Sequence, residues 1–246
     1  VTVSTAISQA RYKLASLLNV QPQTLVFTSS GTESNNHILQ CARKKKGGRI
    51  ILSETEHSSV FSVSNDLKMK GYEVVFAPVD AYGRVILSEF KKLLTNDTCL
   101  VSIMHVNNVT GAINPIEDLV KATKTFKKDI LFHSDGVQAF CKVPVNLESL
   151  GVDFYSISGH KVGAPKGIGL LYVKRGVHLS PYLFGGGQEK GMRSSTENVA
   201  GIVAFSLAAQ EAYSQMSILR EKSKQFFGKL RDILSTLPNI QWLTGE

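Results

Sequence analysis

Three short stretches carry residues that could do chemistry, and each follows an apolar run. The first is Ser158-Gly159-His160-Lys161, at the end of Phe154-Tyr155-Ser156-Ile157. An amine just past a buried strand can be partly desolvated, and a desolvated lysine amine is a ready partner for carbonyl groups. The second is Ser29-Ser30-Gly31-Thr32, between the run Leu25-Val26-Phe27-Thr28 and a helical pattern. Backbone N–H groups and the helix dipole make such a turn a phosphate cradle, although Thr32 would equally serve as a plain N-cap. The third is Asp135, beyond Ile130-Leu131-Phe132-His133, with Gln138 one turn later. An aspartate there can cap a helix or hold a cationic nitrogen in place. His57 and the pair Asn107-Asn108 stand at two further strand-to-loop junctions, where capping and turn roles are also common.

These residues need elements to position them. Helical spacing covers residues about 4–18, with Ser4 or Thr5 as N-cap, and a second helix runs from the Gly31 turn to about Lys46. Strands are predicted at 25–28, 49–53, 73–77, 99–104, 130–133, 154–158 and 170–173. Helices fall at about 58–70, 87–94 and 115–127, the last with Pro115 in its first turn. From about Glu197 a long helical pattern reaches Leu237, with at least one break expected. Strands alternating with helices describe an α/β fold: three layers, with a mainly parallel sheet covered by helices on both faces. In such a sheet ligands bind at the carboxyl ends of the strands, where the candidate residues collect.

Composition narrows the function classes. Of 246 residues, 43% are hydrophobic and 20% charged, the balance of an ordinary globular domain with one sizeable core. No apolar run reaches the length of a membrane span, and Val1-Thr2-Val3-Ser4 does not read as a signal peptide. The missing initiator Met suggests a processed or trimmed chain. The net charge of +8 is distributed as helix ends. Arg43-Lys44-Lys45-Lys46 precedes Gly47-Gly48, Lys68-Met69-Lys70 precedes Gly71, and Lys124, Lys127 and Lys128 close another helix. No basic run interleaves with stacking aromatics, so nucleic acid is not an expected partner. Cys41, Cys99 and Cys141 are an odd, widely spaced set, which argues for a reducing compartment and against a disulfide framework or zinc site. Cys41 and Cys99 read as packing residues.

A lysine at one strand end, an aspartate at another and a glycine turn at a third are together what a pyridoxal-phosphate enzyme needs. The rival arrangement, Ser158-His160-Asp135 as a hydrolase triad, lacks a G-x-S-x-G elbow. No G-x-x-x-x-G-K-[ST] run supports nucleotide hydrolysis. His133 and Asp135 have no third metal ligand at helpful spacing.

The order of the motifs is more specific than any one of them. Thr28-Ser29-Ser30-Gly31-Thr32-Glu33-Ser34-Asn35, Glu56-His57, His105-Val106-Asn107-Asn108 and His133-Ser134-Asp135-Gly136-Val137-Gln138 come first. Ser158-Gly159-His160-Lys161, Pro165-Lys166-Gly167-Ile168-Gly169, Gly185-Gly186-Gly187-Gln188-Glu189 and Met192-Arg193-Ser194-Ser195-Thr196 follow. Taken together the chain resembles the cysteine desulfurases of the NifS/IscS type, in the class V aminotransferase branch of fold-type I pyridoxal-phosphate enzymes. The resemblance implies that Lys161 forms the Schiff base and shuttles the Cα proton. It implies Asp135 on the pyridine nitrogen, Gln138 on the phenolic oxygen, and His57 on the ring face with a part in proton transfer. Gly31, Thr32, Ser158 and His160 would hold the phosphate, and Asn108 would face the substrate carboxylate. Thr196 would reach the phosphate of a partner subunit, implying a homodimer. L-cysteine is the implied substrate, a cytoplasmic location the expectation, and a sulfur acceptor or iron–sulfur scaffold protein the implied partner.

The chain departs from that family in three ways. Val109 stands where a glutamate is usual, and Ser195 where glycine is. The resemblance implies that residues 1–246 are the cofactor-binding large domain, with about 205–246 leading toward a C-terminal small domain that is missing or truncated. That domain carries the family's sulfur-accepting cysteine and carboxylate-clamping arginine, so the chain alone is expected to be inactive. Selenocysteine lyase or another class V activity, and a non-catalytic scaffold paralogue, are the alternative readings.

Overall fold

The computed structural model describes residues 2–41, 47–240 and 242, with the backbone alone at Cys41. Helix α1 (Val3–Leu18) starts at Thr2, whose hydroxyl accepts from the Thr5 N–H, so the cap lies two residues before the predicted Ser4. It ends on Asn19 in the left-handed conformation, φ 55°. Strand β1 (Leu25–Thr28), helix α2 (Gly31–Cys41) and strand β2 (Arg49–Ser53) follow. The predicted continuation of α2 through Arg43-Lys44-Lys45-Lys46, and the packing role of the Cys41 side chain, lie outside the described residues. Next come helices α3 (Ser58–Phe61) and α4 (Val63–Met69) and strand β3 (Glu73–Ala77). The single helix predicted over 58–70 thus divides at Ser62, which keeps helical angles, φ −64° and ψ −27°; only the hydrogen-bond ladder is interrupted.

Helix α5 (Leu87–Leu93), strand β4 (Thr98–Ser102), helix α6 (Ile116–Phe126), strand β5 (Leu131–Asp135) and helix α7 (Leu147–Leu150) lead to strand β6 (Phe154–Ser158) and strand β7 (Gly169–Val173). Pro115 is the residue before α6 and not part of its first turn. Helix α8 (Val199–Leu234) runs 36 residues without the predicted break. No proline lies between its ends, and its two glycines are tolerated. Its first turns bury Ile202, Phe205 and Ala209, whereas Ile218, Leu219, Phe226 and Ile233 are exposed. No helix among the described residues is long and apolar enough to cross a membrane.

The seven strands form one sheet in the order β1-β7-β6-β5-β4-β2-β3. The pairs β2–β3, β2–β4, β4–β5 and β5–β6 are parallel, and β7 is antiparallel to both β6 and β1. Strands buried on both faces read as continuous apolar runs, which is why Ile50-Ile51-Leu52 was legible as a strand. Their side chains alternate between two cores. Ile51, Val101, Phe132 and Tyr155 pack with Leu14 of α1, Phe90 of α5, Leu119 of α6 and Phe205 of α8. Ile50, Leu52, Leu100 and Phe154 pack on the other face with Ile38 of α2, Val60 of α3 and Leu67 of α4. This is the predicted three-layer architecture.

The helix-end reading of the basic clusters holds where it is described. Lys70 caps α4 ahead of Gly71 and pairs with Asp66. Lys124 turns inward from the last turn of α6 to the buried Asp153, whose carboxylate also accepts from the Phe132 N–H. Cys99 and Cys141 are both buried, Cys99 as expected; burial pushes the Cys141 thiol up to about 12.

Candidate active site

The carboxyl ends of β5 and β6 and the start of α2 meet around a cavity of about 260 Å³. Beyond β6 the chain makes a single 3-10 turn, Gly159–Val162, ended by Gly163 at φ 87°. That turn carries His160 and Lys161 to the cavity lining. Lys161 is exposed, so the expected partial desolvation of its amine is not what this chain displays. The reason is local: the turn lifts the lysine off the strand end. The Ser158 hydroxyl lies 2.9 Å from His160 Nδ1. Burial, then the charges of Lys161, Lys166 and Lys142, hold the His160 imidazole below its ordinary pKa.

Opposite, α2 opens with Gly31 and Thr32 at the cavity. The first N–H groups of a helix have no partner within it, so they are available to an anion. Capping falls to Ser30 and not to Thr32: the Glu33 N–H donates to Ser30 Oγ at 3.1 Å, and the Ser29 N–H donates to Glu33 Oε2 at 2.8 Å. Arg193 grips the same carboxylate at 2.8 and 3.2 Å. Burial pushes Glu33 up, but Arg193 and Ser29 outweigh it and hold the carboxyl below the usual range. A Cβ on Gly31 would stand 2.5 Å from Val137 Cγ2, so the helix can open here only on glycine.

Asp135 is the last residue of β5 and is buried. Its Oδ1 accepts from the Val137 N–H at 2.9 Å and its Oδ2 from Asn35 Nδ2 at 2.7 Å. Burial raises its pKa against the pull of those two donors. Residues 137–142 form consecutive turns. Gln138 faces the cavity, and its Oε1 accepts from Lys142 Nζ, which leaves the amide N–H groups to point elsewhere. Burial and the nearby Lys161 lower the Lys142 pKa.

His57 caps α3: its Nδ1 accepts from the Ser59 N–H at 3.1 Å, and Ser59 Oγ lies 2.8 Å away. Capping and site roles therefore coincide in one imidazole. Asn107 is a turn residue, its Oδ1 accepting from the Val109 and Thr110 N–H groups at 2.8 and 2.9 Å, and Asn108 lines the cavity. Val109 projects into solvent, 83% exposed.

Nine of the ten predicted residues line this one cavity: Gly31, Thr32, His57, Asn108, Asp135, Gln138, Ser158, His160 and Lys161. Thr196 does not. It lines a separate cavity of about 100 Å³ with Arg193, Ser195 and Glu197. Sequence reasoning assigned no role to Asn35, Ser59 or Met104, all in the lining. Asn35 had a usable signal, since it lies one helical turn after Gly31 and Thr32 and so on their face of α2.

Comparison with known proteins identifies relatives of this fold. The Dictyoglomus turgidum cysteine desulfurase IscS is 42% identical over 231 residues, covering 93% of this chain and 57% of that protein. A solved NifS-like protein superposes with a TM-score of 0.93 at 40% identity, covering 96% of this chain and 66% of the other. A structure described as SspA in complex with cysteine superposes with a TM-score of 0.81 at 36% identity, covering 85% and 61%. The chain thus spans about 57–60% of the length of the curated relatives it matches. Residues 1–246 match the model of the aminotransferase class-V family, and the chain belongs to that family.

Proposed function

We propose that this chain is the pyridoxal-phosphate-binding part of a cysteine desulfurase. The observation that carries the reading is the convergence of nine candidate residues on one cavity at the strand ends. The residues fit the cofactor on their own chemistry. Asp135 is a buried carboxylate with two N–H donors and a pKa raised by burial, so a protonated ring nitrogen would supply the charge it lacks. Gly31 leaves room where a Cβ would collide, beside helix N–H groups suited to phosphate. Gln138, its carbonyl taken by Lys142, has N–H groups to offer a phenolic oxygen.

When bound, pyridoxal phosphate supplies an aldehyde that captures amines and a ring that accepts electrons from an amino acid's α-carbon. The chain supplies the rest. Lys161 would hold the cofactor through its amine, and the same amine would move the proton at the substrate's Cα. Asp135 would keep the ring nitrogen protonated, and His57 would meet the ring face from the cavity lining. Gly31, Thr32, Ser158 and His160 hold the phosphate, and Asn108 faces the substrate carboxylate. L-cysteine is the proposed substrate, supported by the relatives' activity and by a relative solved with cysteine. Its C–S bond breaks as an S–S bond forms to an acceptor thiol; the electron pair left on carbon is protonated, giving L-alanine and a persulfide. Neither Cys99 nor Cys141 can be that thiol, since both are buried. We place it in the part of the relatives that has no counterpart in these 246 residues. Thr196, turned away from its own chain's cavity, suits contact with the site of a second copy in a homodimer. A cytoplasmic location and an iron–sulfur scaffold or other sulfur acceptor complete the reading.

Borohydride reduction of the chain with pyridoxal phosphate, followed by peptide mass mapping, tests it. A single adduct on Lys161 that disappears in Lys161→Ala is expected. Folded protein with no adduct, or with an adduct on another lysine, would overturn the assignment.

A further inference from the structure

Asp135 and His57 stand on opposite sides of the chain's sequence midpoint in separate elements, yet two side chains join them. Asn35 Nδ2 has two hydrogens and two acceptors: Asp135 Oδ2 at 2.7 Å and Ser59 Oγ at 2.8 Å. Asn35 and Asp135 are almost wholly buried, and Ser59 is buried at the edge of the cavity. The orientation of the amide is dictated by Asp135, because the flipped amide would set a carbonyl against a carboxylate. That orientation leaves Asn35 Oδ1 buried without a partner, so something outweighs its satisfaction. With Ser59 Oγ accepting from Asn35, the hydroxyl has its own proton to give. His57 Nδ1 is 2.8 Å away and already accepts from the Ser59 N–H. Every donor on this line points from Asn35 outward.

We propose that Asn35 and Ser59 are positioning residues that tie the Asp135 carboxylate to the tautomer of His57 through one directed line of hydrogen bonds. The line fixes the carboxylate oxygen nearest α2 and reserves the His57 proton for Nε2, the nitrogen free to face the cavity. The hydrogen bonds stand by themselves; their consequence for the cofactor rests on the pyridoxal-phosphate reading above. Neither residue need touch the cofactor for this.

The test uses the full 246-residue chain labelled with ¹⁵N-histidine, with His57 assigned by the loss of its signals in His57→Asn. Asn35→Leu keeps the volume and removes both N–H donors, and Ser59→Ala removes the hydroxyl but keeps the backbone N–H. Wild type should show the Nε2–H form of His57 alone, and both variants should show a detectable share of the Nδ1–H form. The Ser59 N–H at 3.1 Å is then the one fixed donor left to Nδ1, and Ser59 Oγ is either lost or free to accept instead. Pyridoxal phosphate should bind Asn35→Leu about tenfold more weakly, the loss expected for a hydrogen bond to a charged group. The double variant should bind no worse than Asn35→Leu alone, because one line is broken once. A pure Nε2–H form in both folded variants, or additive losses of affinity, would overturn the proposal. If Asn35→Leu does not fold, the tautomer in Ser59→Ala decides it. Failure of wild type to bind pyridoxal phosphate would count against the proposed function, and the tautomer measurement would still judge the line.

Discussion

Gly136 and Tyr155 compete for one space beside Asp135: a Cβ on Gly136 would stand 1.9 Å from Tyr155 Cε1 and 2.1 Å from Cζ. Tyr155 is fully buried, and its hydroxyl lies 2.7 Å from His105 Nδ1. Burial lowers the His105 pKa to about 4, so that imidazole is neutral and the Tyr155 hydroxyl has a lasting partner.

Replacing Gly136 by alanine should therefore cost about 3 kcal/mol or more, at the upper end of overpacking penalties, since neither partner can retreat. Urea unfolding of Gly136→Ala checks this. Adding Tyr155→Phe should give little relief, because the ring carbons at 1.9 and 2.1 Å collide more closely than the hydroxyl at 2.4 Å and remain in phenylalanine. A Gly136→Ala protein as stable as wild type would refute the packing argument.

Glu56 offers a pH signature. Its Oε1 accepts from Ser53 Oγ and the Met104 N–H, whereas Oε2 is shut off from solvent with no hydrogen-bond partner. Burial pushes its pKa up to about 8, with Asp135 adding to the rise and the hydrogen bonds opposing it. The folded state then binds a proton that the unfolded state releases near its ordinary value of 4.5. Stability from this group is fully present below that value and is lost as pH climbs toward 8. Wild type should lose up to roughly 4 kcal/mol relative to Glu56→Gln between pH 5 and pH 8. The raised carboxyl of Asp135 acts in the same direction in both proteins, so their difference reports Glu56 together with its coupling to Asp135. Parallel stability–pH curves would contradict it.

Ser195 holds φ at 151°, in the region that favours glycine. Such a residue costs of the order of 1–3 kcal/mol, and glycine returns about 0.5–1 kcal/mol of that in unfolded-chain entropy. Ser195→Gly should accordingly gain about 1 kcal/mol, read as a higher urea midpoint, while Ser195→Ala gains nothing. Equal midpoints for wild type and Ser195→Gly would refute the strain. The position was already marked in the sequence as a departure from the family's glycine, and the backbone angle supplies its physical content.

Much of the site was legible because chemistry-bearing residues follow apolar runs. Asp135 after β5, and Ser158, His160 and Lys161 after β6, are placed by strand ends that the sequence marks with glycine and polar residues. Gly31 and Thr32 are placed by the turn into α2. What the runs could not convey is contact between distant elements. Asn35 touches Asp135 across 100 positions and Ser59 across 24, and nothing in local periodicity distinguishes such a residue from another polar one on a helix. Thr196, which the resemblance directs to the phosphate of a partner subunit, lines another cavity within this chain.

By itself the sequence determined the elements, the fold class and the residues at each strand end, because apolar period, glycine and caps act over a few neighbouring positions. Only the tertiary structure decided the sheet order, with β4 inserted between β2 and β5 and β7 reversed beside β6. That order brings Asp135, Lys161 and α2 around one cavity and buries Asn35 against Asp135. Burial and hydrogen-bond direction are properties of the packed layers, and they arise only when strands far apart in the chain become neighbours.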